Sequence, residues 1–139
     1  MSEQSRYNLA ARTVELEVIA ACRACGLGLF PYGPLRGGLL AGGVRGATVG
    51  RHSGGGMQEL AERHRAQVEA YEGLCRRLGR EPAVVALAWL LRRPGVTAPI
   101  VGPRTVGQLE GGLRALELRL ADQALARLDE IWPGPGEAS

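Results

Sequence analysis

Thr97-Ala98-Pro99-Ile100-Val101-Gly102-Pro103-Arg104-Thr105 is the stretch on which the fold turns. Thr97 to Val101 is short and apolar, as in a buried strand. Gly102-Pro103 then turns the chain. Thr105-Val106-Gly107-Gln108 has the spacing of a capping box and opens a helix with Leu109, Leu113 and Leu116 on one side. A strand that runs directly into a helix is half of a crossover unit, so the surrounding sequence is read for the other halves.

Upstream, Ala83 to Leu91 is apolar almost all round and predicts a helix buried on most faces, with Pro82 at its first position and Arg92-Arg93 at the negative end of its dipole. Much of its apolar face needs a cover. Met57 to Leu78 has the apolar spacing of one long amphipathic helix stopped by Gly79, and the glycine-rich stretch from Gly42 to Gly56 reads as a flexible loop. Gly28 to Tyr32 is a brief apolar run suited to a second buried strand. Val14 to Cys25 is a helix with Gly26 placed to stop it, and Glu3 to Leu9 is a short strand or strand end. Downstream, Asp122 caps a last helix carrying Leu125, Leu128 and Ile131.

The alternation predicts an α/β architecture with about three parallel strands and flanking helices, joined by right-handed crossovers. The chain has 139 residues and a mass of 14.7 kDa, room for one domain. A closed (β/α)8 barrel needs about 250 residues. The reading is therefore a partial TIM barrel over residues 1–131, with 132–139 as a disordered tail. Three parallel strands leave two bare edges, which predicts a homo-oligomer or a hetero-partner.

All 17 basic residues are Arg, against 14 acids, for a net charge of +3. Chemistry that needs a lysine is thus outside the reach of these residues, since Arg does not deprotonate usefully. The arginines are scattered and aromatics make up only 4% of the chain, which argues against nucleic acid as a partner. No apolar run is long enough for a membrane span, and the first residues lack the layout of a secretory leader, so the expectation is a cytoplasmic protein.

Two segments suggest chemistry from their residues alone. After Val101 the first amides of the coming helix are unpaired and carry partial positive charge, and Arg104 adds a planar fork suited to phosphate. The other reading of this segment is a capped helix with a surface arginine. After the Gly28 strand, Tyr32 offers a ring for a flat ligand, and Gly33-Pro34-Leu35-Arg36-Gly37-Gly38 is a turn whose backbone allows close approach.

Ser2-Glu-Gln-Ser-Arg-Tyr-Asn8, Pro31-Tyr-Gly-Pro-Leu-Arg-Gly-Gly-Leu-Leu40 and Ile100-Val-Gly-Pro-Arg-Thr-Val-Gly-Gln-Leu109 together resemble the C-terminal part of an aldo-keto reductase. The resemblance runs from about Ser2 to Ile131. It implies the sixth to eighth βα units of a TIM barrel and most of an NADP(H) site. By that resemblance Gln4 bonds the nicotinamide carboxamide and Tyr32 stacks on the nicotinamide ring. Leu35, Gly37 and Leu39 line the pyrophosphate. Arg104 holds the adenosine 2′-phosphate with Gly102 and Thr105 nearby, and Gln108 lies beside the adenine. Gly33 stands where the family often has Ser, and Gly112 where it often has Asn. The family's Asp, Tyr, Lys and His set lies in the N-terminal part of the barrel, which the chain does not contain, and Lys is absent altogether. Reductase activity therefore calls for a complementary N-terminal part.

Two other functions stay open: an oligomeric small-molecule-binding protein or non-reductase enzyme that uses the former cofactor cleft, and a catalytically silent interaction protein, with the Met57–Leu78 helix as its contact surface, or a truncation product. Tyr7 and Tyr32 are candidate acids. His52 sits in the glycine-rich loop, and His64 falls on an apolar stripe as a packing residue. Cys22-Arg-Ala-Cys25 has CxxC spacing but closes a helix instead of opening one, so neither redox nor metal chemistry is expected of it.

Overall fold

The computed structural model describes residues 1–42 and 55–136. Strand β1 (Ser2–Glu3) pairs in parallel with β2 (Gly28–Leu29), and the described residues form six helices where the sequence implies five: α1 (Val18–Ala24), α2 (Gly55–Arg63), α3 (Arg65–Leu78), α4 (Pro82–Leu91), α5 (Val106–Glu117) and α6 (Asp122–Ile131). Short 3-10 turns occupy Thr13–Glu15 and Arg36–Gly38. No helix among the described residues is long and apolar enough to cross a membrane.

The sheet is shorter than the sequence implies, and two prolines are the reason. The β1–β2 register continues beyond both strands, with Phe30 N–H on Glu3 C=O (2.9 Å), Tyr32 N–H on Ser5 C=O (3.0 Å) and a parallel bridge between Arg6 and Tyr32. Pro31 lies between these two donors, and the N–H it lacks is one that would face the third segment on the other side of β2. The third segment, Thr97–Val101, does lie alongside β2, through a parallel Leu29–Val96 bridge and Thr97 N–H on Leu29 C=O at 2.9 Å. The donor due next in the ladder would be residue 99, a proline. Ile100 instead bonds the Pro31 carbonyl at 2.7 Å, and the Leu29 amide turns to the Thr97 side chain at 3.1 Å. The third expected strand is thus an extended segment beside a two-stranded sheet.

Helix ends follow the sequence closely. Gly26 (φ 65°) closes α1, with Leu27 N–H reaching Cys22 C=O at 2.8 Å. Gly79 (φ 66°) ends α3 in the left-handed conformation that a side chain would oppose. The long helix expected from Met57 to Leu78 is bent at His64, whose ψ of 23° separates α2 from α3. Its ring is half-buried 5.9 Å from Trp132, and its Nδ1–H donates to Gln67 Oε1 at 2.7 Å. Asp122 is the first residue of α6 and makes no cap; Ala121 holds that position.

Helix α4 is buried from Val84 through Leu90, and α5 packs across it. The cover expected for α4 is therefore supplied within the chain. Helix α5 makes that contact with its small side, where Gly111 and Ala115 are buried. Leu109, Leu113 and Leu116 share one side of the helix as expected, but that side faces outward, with exposures of 46%, 55% and 56%. Trp132 is 2% exposed and packs edge-on to Tyr71, so the ordered core extends past residue 131.

A clamp around Trp89 ties the ends of the chain to this core. The Arg12 and Arg93 guanidinium groups lie 5.1 and 4.9 Å from the ring, and Tyr7 meets it edge-on at 5.6 Å. Glu15 bridges the two cations, at 2.6 Å to Arg12 Nε and 2.9 Å to Arg93 Nη2. Arg12 also donates to Asp129 Oδ1 (2.8 Å) and Trp132 C=O (2.7 Å) on the far side. Arg92 donates across to the carbonyl of Leu116 at the end of α5. Burial works to raise the Glu15 pKa, but the bonds and charges of Arg12 and Arg93 outweigh it and hold it below the usual value. The clamp's stability is then present above the ordinary carboxylate range and lost as pH falls through the depressed value. Glu15→Gln should cost about 3 kcal/mol and flatten the acid limb of a melting-temperature profile against pH; an unchanged acid limb would refute the linkage.

Candidate functional site

Burial divides the extended segments into two faces. Along the first, Ser2, Gln4 and Arg6 are exposed while Tyr7 is buried; along the second, Tyr32 is exposed while Leu29 and Pro31 are buried. Successive side chains on a strand point to opposite sides. Leu29, Pro31 and Tyr7 thus face the helices, and Gln4, Arg6 and Tyr32 stand on an open face. Parallel sheets ordinarily have both faces covered; among the described residues, this face is left open.

Three of the expected site segments meet there. Backbone bonds from Tyr32 to Ser5 and from Ile100 to Pro31 set the ends of the three extended segments side by side. Gln4 and Tyr32 are brought to one surface, and the chain leads on through Gly102 to Arg104, both exposed. Thr105 caps α5 by accepting from Gln108 N–H at 3.1 Å. The Gln108 side chain reaches back to the Arg104 amide at 2.7 Å, one residue before the place a capping box would send it. Two backbone donors at this helix start are therefore already engaged by the protein's own side chains.

The turn after Tyr32 is held from outside by Asn8. This residue is 1% exposed; its Nδ2 donates to Gly33 C=O at 2.8 Å, while its Oδ1 accepts from Ala10 N–H at 2.9 Å. Gly33 adopts φ 63° there, a conformation its lack of a side chain permits. Gly37 (φ 66°) is exposed on the same turn. Leu39 is fully buried and Leu35 packs against the core, so the side chains of these two serve the interior and only their backbones remain for a ligand.

The candidate acids separate. Tyr7 is fully buried with its hydroxyl accepting from Arg93 Nε at 3.0 Å, and burial, partly opposed by Arg93, pushes its pKa up to about 12. It has no access to the open face. Tyr32 is 43% exposed, with the Arg6 guanidinium 5.9 Å from its ring centre. Cys22 is buried and Cys25 exposed, both as free thiols. His52 lies outside the described residues. The sequence reading gave Asn8 no role of its own, although its place after a strand and its aptitude for turns were a usable signal.

Residues 1–133 match the sequence model of the Aldo/keto reductase family. The chain is 45% identical to YrpG, an uncharacterized oxidoreductase of Bacillus subtilis, over 98% of its own length and 41% of the relative's. It is 28% identical to the probable aldo-keto reductase 1 of Glycine max, over 94% and 39%, and 29% identical to norsolorinic acid reductase stcV of Emericella nidulans, over 94% and 33%. The chain thus spans about two fifths or less of the length of these relatives. For Asn8→Ala, loss of both buried bonds should cost about 1–3 kcal/mol and speed amide exchange in residues 33–38 above that of α4; uniform acceleration across the chain would show that Asn8 does not act on this turn.

Proposed function

The chain belongs to the aldo/keto reductase family, and from that premise we propose that it is the NADP(H)-binding portion of a (β/α)8 barrel, an α/β partial barrel whose open sheet face lines the site. The observation that carries this reading is the exposure of Gln4 and Tyr32 on one face, with the Ile100 segment held beside them and leading to Arg104. The residues fit the dinucleotide in kind. Gln4 offers an amide to the nicotinamide carboxamide and Tyr32 a ring to stack on it. Gly37 and the backbone of Leu35 and Leu39 offer close approach to a pyrophosphate. Gly102, Arg104 and Thr105 form the head of a helix suited to the 2′-phosphate. Gln108 reaches the adenine only by leaving its present bond to the Arg104 amide.

The cofactor supplies a hydride for carbonyl reduction. These residues bind and orient it, but the proton must come from elsewhere. Lysine is absent from the chain, the buried Tyr7 has no access to the open face, and Tyr32 is committed in this reading to stacking on the nicotinamide. An oxyanion formed on a carbonyl substrate needs a positioned acid. We assign that acid to a complementary N-terminal portion of the barrel, on the same polypeptide or on a partner.

The outward side of α5 supports a partner. Val106, Leu109, Leu113 and Leu116 recur at the spacing of a helix-packing seam, and each is about half exposed or more. Either the N-terminal portion or a second copy of the chain is proposed to cover it. Leu113→Glu should abolish association in a sedimentation experiment without changing helix content; association that survives would place the contact elsewhere.

Fluorescence titration with NADPH tests the nucleotide reading. Binding to the chain is expected, with Arg104→Ala weakened about 10- to 100-fold, as removal of a charged hydrogen bond of roughly 1.5–3 kcal/mol implies. Equal binding by both proteins, or a dissociation constant weaker than about 1 mM (about −4 kcal/mol), would count against it.

A further inference from the structure

We propose that Arg6 is the anion-receiving residue of the open sheet face, taking an anionic oxygen group of the ligand that lies against Tyr32; this rests on the nucleotide-binding reading above. Arg6 stands two residues from Gln4, on the same face, while Tyr7 between Arg6 and Asn8 turns inward. The parallel bridge to Tyr32 fixes its position along the sheet. Its guanidinium lies 5.9 Å from the centre of the Tyr32 ring. A guanidinium held against an aromatic ring keeps its in-plane N–H donors available, and that planar fork matches carboxylate and phosphate oxygens.

Charge on this face favours the same conclusion. Arg12 and Arg93 are neutralised by Glu15, and Arg63, Arg65, Arg114 and Arg127 each have a carboxylate within 4.0 Å. Arg6 has no such ion pair among the described residues. The acid nearest in sequence, Glu3, accepts from the Ser5 hydroxyl at 2.7 Å and alternates to the other side. Ser2, Gln4, Gly28, Phe30 and Tyr32, which share the open face with Arg6, are all uncharged. Among the described residues, the face therefore presents the Tyr32 ring, the Gln4 amide and the Arg6 guanidinium. That set fits a flat group joined by a short link to a phosphate or carboxylate. The anion belongs either to the phosphate on the nicotinamide half of the dinucleotide or to an anionic carbonyl substrate.

Titration followed by NMR separates these sources. Reduced nicotinamide mononucleotide and the phosphate-free reduced riboside are compared on the chain and on Arg6→Gln, with 2′,5′-ADP as a reporter of the Arg104 end. A second arm compares 4-carboxybenzaldehyde with benzaldehyde in the presence of NADP+. The expected result is about a tenfold preference for the phosphorylated compound, lost in Arg6→Gln and partly kept in Arg6→Lys, with 2′,5′-ADP affinity unchanged. If the variant instead loses only the preference for the carboxylated aldehyde, the anion is the substrate's and the assignment of Arg6 stands. If 2′,5′-ADP binds and Arg6→Gln alters neither preference, the assignment of Arg6 is wrong while the nucleotide reading survives. If neither the nicotinamide compounds nor 2′,5′-ADP bind, both fall.

Discussion

One buried cation organises this structure. Arg12 has a side chain only 7% exposed, and a charge so placed must be paired and bonded on every side. Glu15 takes two of its nitrogens, and Asp129 with the Trp132 carbonyl takes the third. Those partners come from the N-terminal segment and from either side of the end of α6, while the indole of Trp89 supplies α4 as a wall. Satisfying one guanidinium therefore draws three remote parts of the chain together. The apolar core that includes Leu39, Tyr71, Leu90 and Leu128 then fills the space beneath.

The sheet depends on a complementary constraint. With Pro31 in the second extended segment and Pro99 in the third, the backbone ladder cannot run unbroken. Its function in the fold is less to make a broad sheet than to align the ends of three extended segments. Among the described residues, helices cover one side of that alignment through Leu29, Pro31 and Tyr7, and leave the other side open. The polar side chains proposed to meet a ligand are on the open side because strand alternation leaves them nowhere else to go.

Much of the helical layout was legible in the residues. Gly26, Gly79, Pro82 and Thr105 mark boundaries through their own backbone preferences, which are local and do not depend on what packs nearby. The prolines of the sheet carried an equally local signal, but apolar runs were read as strands across them. At the bend, His64 meets Trp132 from the far end of the chain and Gln67 one turn on, and the apolar periodicity runs through it unchanged. Periodicity correctly put Leu109, Leu113 and Leu116 on one side of a helix; it carries no information on which side meets α4, and there Gly111 and Ala115 allow the closer approach. Within the candidate site, Gln4, Tyr32 and Arg104 stand out by motif and position, and all three are exposed. The burial of Leu39 and the grip of Asn8 on Gly33 arise from contacts distant in sequence, beyond the reach of a pattern read along the chain.

The reach of Gln108 back to the Arg104 amide has a consequence for how this surface is dissected. One side chain both fastens the beginning of α5 and stands where an adenine is proposed to lie, so recognition and local order compete for the same oxygen. A guest that recruits this amide must first loosen the helix start that helps to position Arg104. Substituting Gln108 would disturb affinity and terminal fraying together, and a change in either taken alone would misattribute its cause.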